Sequence, residues 1–312
     1  MTLRLGTRSS RLAMAQSETI AQTIRERHGV DVELVPIATL ADSSSAKLRE
    51  LAASQNGVFV ATLREALVAG EVDFAVHSLK DIPTQGDERL NVAAIPVRAD
   101  ARDVLVARDG LTVMELPNGA RIGTGSLRRA SQLRALGRDF EIVEIRGNVE
   151  TRMARVGDDL DAVVLAAAGL ARLGLTDNAT EVFDPLVMLP APGQGALACE
   201  CRAEDAETTR LLAKLDDSDT RAVVTAERTL LAVLEAGCSA PVGALAEIAL
   251  GDDGDELWLR AFVGDASGAP SIRRSITGTT DQARELGDQL AREMLAEGAS
   301  QIMASSSQED AS

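Results

Sequence analysis

The 312-residue chain has no tyrosine, one tryptophan and five phenylalanines, so aromatics make up only 2% of it. That leaves few rings to stack on bases. A formal net charge of −16 argues further against a nucleic-acid partner. Three cysteines build no disulfide framework and fit a reducing compartment. The longest apolar run, Ala162 to Ala168, is far short of the ~18 residues a membrane span needs. No apolar leader follows Met1; the chain runs straight into a strand-like Leu3-Arg4-Leu5-Gly6. A cytoplasmic protein outside the membrane is expected. No Walker loop, zinc motif or G-x-G-x-x-G occurs, so nucleotide and metal chemistry have no motif here. Lysine is nearly missing too, standing only at 47, 80 and 214; the basic residues are otherwise arginine.

What is present is 45% hydrophobic residues, enough for two or three domains with their own cores. Leu3–Gly6 reads as a strand. Ala13, Ile20, Ala21 and Ile24 then recur at helical spacing, and the helix stops near His28-Gly29. Val32–Ile37 reads as a strand, Leu63–Val68 as part of a helix, Asp73–His77 as a short buried strand and Leu90–Ile95 as another. This alternation means α/β layers. The pattern then restarts. Arg4-Leu5-Gly6-Thr7-Arg8-Ser9 resembles Arg121-Ile122-Gly123-Thr124-Gly125-Ser126, and Val72-Asp73-Phe74-Ala75-Val76 resembles Leu160-Asp161-Ala162-Val163-Val164. Two matches in the same order predict a pair of similar lobes. The first covers 1–96 plus about 196–214, after the crossover Pro190–Gly195; the second covers 97–195. Residues 215–312 differ in character and predict a smaller α+β domain. It has a helix around 220–235, strands at 257–263 and 272–278, a helix at about 281–297 and a disordered tail at 305–312.

Eight arginines gather in or beside short turns: Arg8, Arg11, Arg98, Arg102, Arg128, Arg129, Arg146 and Arg152. Three of these turns follow a predicted strand and open a helix, where α/β sheets bind ligands and helix starts offer N–H groups. Arg128, Arg129 and Arg152 in a first helical turn oppose the helix dipole by roughly 0.3–1 kcal/mol. An acidic chain that keeps cations there is holding a small anion, and a guanidinium fork suits a carboxylate. For any one arginine a surface pair with an acid is the plainer reading. Lys80-Asp81, after a buried strand, is the candidate for reacting groups. A capping Asp81 beside a surface Lys80 is an equal alternative. Cys238, in Glu235-Ala236-Gly237-Cys238-Ser239-Ala240-Pro241, reads on its own as an ordinary small residue beside a loop. Cys199 and Cys201 alternate on one strand face and read as core. His77 reads as an anchor for its turn.

Six segments, in this order, resemble the porphobilinogen deaminase (hydroxymethylbilane synthase) family across nearly the whole chain. They are Gly6–Ser10, Ala75–Pro83, Gly123–Arg129, Arg146–Arg152, Leu189–Ala196 and Glu235–Cys238. The resemblance implies an α/β fold of two periplasmic-binding-protein-like lobes with mixed sheets plus a smaller C-terminal α+β domain. It implies a monomeric transferase that joins four porphobilinogen molecules head to tail, each losing ammonia, and then releases a linear tetrapyrrole by hydrolysis. It implies a dipyrromethane cofactor on Cys238 through a thioether. Asp81 would hold pyrrole N–H groups and stabilise the positive azafulvene formed as ammonia leaves. Lys80, Ser126, Arg128, Arg129 and Arg146 would bind the cofactor, and Arg8, Ser10, Arg146, Arg152 and Phe59 the substrate. The physics of the ligand agrees. Pyrrole units with two carboxylates each repel by roughly 4 kcal/mol per charge pair at ~4 Å and an effective dielectric of about 20, so they need a dense set of cations. The chain departs from the family pattern at Asn56, where a lysine is common, at Gly125, where a serine is common, and at Arg11, where a proline is common. Two rivals compete: a binding protein of the same two-lobe type carrying a small anion, and a phosphate-ligand enzyme without a covalent cofactor.

Overall fold

The computed structural model describes residues 2–37, 56–237, 240–251 and 254–309. The chain forms two compact units, 1–98 with 196–220 and 99–195 with 221–312.

In the first unit β1 (Thr2–Thr7) leads through a turn into α1 (Arg11–His28). Ser10 caps that helix by accepting from the Ala13 N–H at 3.3 Å. Gly29 closes it in the left-handed conformation that glycine adopts without strain. Next come β2 (Asp31–Pro36), α2 (Asn56–Val68), β3 (Phe74–Ser78), a single 3₁₀ turn (Leu79–Asp81) and β4 (Leu90–Ala94). The second unit begins with β5 (Asp103–Ala107) and continues with β6 (Arg121–Gly123), α3 (Leu127–Arg134), β7 (Glu141–Val143) and α4 (Val149–Met153). It goes on with β8 (Ala162–Ala166), α5 (Ala167–Leu173) and β9 (Glu181–Val182). The chain returns to the first sheet as β10 (Leu197–Arg202), followed by α6 (Ala206–Leu212) and α7 (Ser218–Val233). A last antiparallel sheet, β11 (Val242–Gly251), β12 (Gly254–Gly264) and β13 (Ser271–Thr279), is backed by α8 (Ala283–Ala296) and α9 (Ala299–Glu309).

The two large sheets share one plan. Their orders are β2-β1-β3-β10-β4 and β7-β6-β8-β5-β9. In each, four strands point one way and one, β10 or β5, runs against its neighbours on both sides. The repeat in the sequence has a matching bonding pattern. The Arg4 N–H donates to the Asp73 carboxylate at 2.7 Å and the Asp73 N–H to the Arg4 carbonyl at 2.8 Å. Arg121 and Asp161 repeat both bonds, at 2.7 and 2.9 Å. A Cβ added at Gly6 would sit 2.9 Å from Val72, and one at Gly123 would sit 2.6 Å from Leu160. Glycine is thus required at the same point of both lobes, where strand and preceding loop pack closely. The fold is the expected one, two mixed-sheet α/β lobes and a smaller three-stranded α+β sheet.

The apolar stripe of α1, Ile20, Ala21 and Ile24, closes on Leu3, Leu5, Phe74, Val76, Leu197, Cys199 and Cys201. Each fully buried Leu, Ile or Phe there contributes about 1.5–3 kcal/mol. Both strand cysteines are core residues, and burial pushes the Cys199 thiol up to about 12. α9 runs through 305–309, the start of the segment expected to be disordered. Buried Ala299 and Ile302 seat the helix, and the Ser305 hydroxyl donates to Asp265 at 2.5 Å. β5 and β11 escape the sequence reading for one reason. β5 is buried along its whole length and β11 along its first half, so neither shows a period-2 alternation.

Candidate functional site

The arginine turn of the second unit grips a carboxylate of its own protein. Arg128 and Arg129 lie in the first turn of α3, straight after β6 and the turn 124–126. Arg128 Nη1 donates to Asp103 Oδ2 at 2.7 Å and to the Leu189 carbonyl at 2.5 Å. Arg129 reaches Asp103 Oδ1 through Nε at 3.1 Å and Nη2 at 2.7 Å, and the Val164 carbonyl at 2.9 Å. Gln194 adds a fourth donor to Asp103 at 2.9 Å, so the crossover 190–195 is tied to the cluster. All three charged side chains are buried, Asp103 completely. Burial alone would raise the Asp103 carboxyl; the two guanidiniums more than offset it and hold it well below the usual carboxylate range.

One carboxylate facing two guanidiniums leaves a buried positive charge, and Arg128 Nε is itself buried without a hydrogen-bond partner. Half-buried Arg152 adds to the surplus. Its Nε donates to the Gly147 carbonyl at 2.8 Å, and it makes no ion pair with a described residue. Burial first, then repulsion from Arg129, lowers its pKa. Arg172 on α5 repeats the pattern. It donates to the Gly195 carbonyl at 2.7 Å, has no ion pair among the described residues, and burial pushes it down to about 10. Unpaired cations in a low-dielectric site are costly unless an anion completes them. Ser126 occupies the N-cap position of α3 but makes no capping bond, so its hydroxyl is not spent on the helix. Gly125 fits its place, because a Cβ there would lie 2.7 Å from the Ile145 carbonyl. Arg146 differs from the others: it is exposed and pairs with Glu144 at 2.9 Å. Arg102 likewise pairs with Asp100 at the surface.

In the first unit, parallel neighbours β1 and β3 end at the same sheet edge, with Gly6 opposite Ala75. That register brings Arg8 and Ser10, after β1, to the edge that carries Lys80 and Asp81, after β3. The turn is fixed by the Leu79 N–H donating to the Ala196 carbonyl at 3.0 Å and by Gln16 donating to Ser78 at 3.1 Å. Asp81 is half-buried, and its carboxylate makes no hydrogen bond or ion pair with another described residue. Cys238 and the side chains of Asn56 and Phe59 lie outside the described residues. Among the described residues no His, Cys, Asp and Glu cluster could hold a metal ion, and no helix is long and apolar enough to cross a membrane.

Sequence reading passed over Asp103, Arg172 and Gln194. Asp103 opens the apolar run Asp103-Val104-Leu105-Val106-Ala107, and a lone acid entering a buried strand was the available signal. Arg172 looks like an ordinary basic residue near a helix end.

The surplus of buried guanidinium charge fits an anionic ligand. Residues 3–210 match the family model described as porphobilinogen deaminase, dipyrromethane cofactor binding domain, and residues 222–296 match the porphobilinogen deaminase C-terminal domain. The porphobilinogen deaminase of Mycobacterium marinum is 53% identical over 307 residues, covering 96% of each chain. Porphobilinogen deaminase 1 of Streptomyces avermitilis is 55% identical over 316 residues, 96% of this chain and 97% of that one. Among solved structures, immunogenic lipoprotein A from Vibrio vulnificus superposes with a TM-score of 0.44 at 16% identity, over 68% of this chain and 94% of that one. Two family models in succession, and relatives more than half identical from end to end, make this chain a member of the porphobilinogen deaminase family, transferases built around a dipyrromethane cofactor.

Proposed function

We propose that the enzyme is a hydroxymethylbilane synthase that extends a dipyrromethane primer on Cys238 by four porphobilinogen units. The observation that carries this reading is the buried cationic surplus of Arg128 and Arg129 on the single carboxylate of Asp103, with half-buried Arg152 adding repulsion to Arg129. When bound, the dipyrromethane supplies the nucleophilic pyrrole carbon to which the first substrate is joined. Arg128, Arg129, Arg152 and Arg172 hold ring carboxylates, with Ser126 donating beside them and Arg146 at the exposed rim. Lys80 joins them on the cofactor, and Arg8, Ser10, Arg146, Arg152 and Phe59 form the set that binds the incoming substrate.

In each cycle the substrate's aminomethyl carbon loses ammonia and bonds to the chain's terminal pyrrole carbon, which gives up its proton. Positive charge develops on the substrate ring as its ammonia leaves. The Asp81 carboxylate, with no partner among the described residues to compete, accepts that ring's N–H and stabilises the charge. Such stabilisation is largest when the acceptor is already in place.

Intact mass of the freshly purified protein is the test. A mass excess of one dipyrromethane, mapped to Cys238, is expected, and Cys238→Ser carries none and is inactive. A bare mass that stays bare after incubation with porphobilinogen removes the reading and favours a binding protein. Thiol counting gives an independent result. At pH 8 the native enzyme leaves Cys199 and Cys201 unalkylated, since burial holds both thiols protonated. After unfolding, holoprotein alkylates at two cysteines and the bare chain at all three. Three reactive thiols in unfolded holoprotein would place the cofactor elsewhere.

A further inference from the structure

We propose that Glu200, gripped by Arg64 and facing His77, is a positioning residue for the Lys80-Asp81 turn; the inference rests on the reading of Asp81 given above. Glu200 stands on β10 with its side chain 2% exposed. Arg64, from α2, reaches it through Nε at 3.1 and 3.2 Å and Nη2 at 2.8 Å. On the other side His77 Nε2, also buried, lies 3.2 Å from Oε2, off the line of a full hydrogen bond. Burial raises the Glu200 carboxyl; His77 and Arg64 more than offset it and hold it below its ordinary value. A buried ion pair of this kind is weak evidence for stability, because desolvating both charges cancels most of the gain. Its placement suggests another use.

Successive side chains of a strand point to opposite faces. On β3, Phe74 and Val76 pack with the α1 core, while Ala75 packs with Ala66 and Leu67 of α2. His77 continues the α2 face and meets Glu200; Ser78 continues the α1 face and meets Gln16. The last two residues of β3 are thereby held from both sides. The residue just before β10 holds the next one as well, through the bond from the Leu79 N–H to the Ala196 carbonyl, four residues before Glu200. Lys80 and Asp81 follow at once. Because Asp81 has no side-chain bond to another described residue, its place is set by this anchored turn. Misplacing a reacting group by ~1 Å costs up to about 10²-fold in rate.

The experiment measures kcat and KM for porphobilinogen on dipyrromethane-loaded Glu200→Gln, His77→Asn, the double variant and Asp81→Asn, each normalised to the folded fraction. The singles are expected to lower kcat on the order of tenfold to a hundredfold, with KM within about twofold. The double should be no worse than the poorer single, because both act through one turn. Unchanged kcat per folded molecule, or losses that multiply in the double, overturns the inference. Should Glu200→Gln fail to fold, His77→Asn decides by the same kcat. An active Asp81→Asn removes the underlying reading of Asp81. An inactive Asp81→Asn beside two fully active singles removes only the role of Glu200.

Discussion

Asp81→Asn should fold, retain its affinity for porphobilinogen within a few-fold and turn over at least about 10²–10³-fold more slowly than the native enzyme, the scale on which a preorganised electrostatic group acts. The substitution keeps shape and one acceptor oxygen and removes the charge. Asp81 has no ion pair with a described residue, so no buried cation is orphaned and stability should stay within about 0.5 kcal/mol. Affinity rests on arginines elsewhere, so KM moves little, and a loss confined to kcat marks an interaction made only as charge develops. Asp81→Ala should be worse still and should assemble cofactor poorly. Single-turnover release of ammonia measures the step directly. Turnover of Asp81→Asn within about fivefold of native would leave the developing cation to another group.

Much of this was legible in the residues. The lobe repeat could be seen because Arg4, Gly6 and Asp73 perform the same backbone task as Arg121, Gly123 and Asp161, and such a task tolerates few residue types. The arginine turns could be seen because a cation at a helix start is locally wrong and therefore informative. What the residues hid was the partner. Asp103 lies 25 positions from Arg128, on a strand buried on both faces, and no local pattern announces an acid brought there by tertiary pairing. Arg172 and Arg146 look alike in sequence. Only burial separates them: one is half-buried beside a carbonyl, the other exposed beside Glu144.

Asp103→Asn should cost about 3–5 kcal/mol of unfolding free energy, the loss expected when one partner of a buried charge cluster is removed. Two buried guanidiniums would then face each other across a neutral amide, with the carbonyls of Leu189 and Val164 as acceptors that carry no opposite charge. The pH dependence follows from the depressed folded-state carboxyl. Its contribution is complete above the ordinary aspartate value of ~3.9 and shrinks as pH falls below it. It vanishes only beneath the folded value. Urea titrations should therefore show a constant gap between native protein and variant from about pH 5 to pH 8, closing in acid. With its carboxylate gone the cluster offers more positive charge to an anion in the folded state, so loading with dipyrromethane should rescue the variant more than it stabilises the native enzyme. A variant within about 1 kcal/mol of native at neutral pH would show that the guanidiniums do not depend on Asp103. A large gap with cofactor rescue would mean that Asp103 neutralises one of two arginines and leaves the other's charge for the ligand.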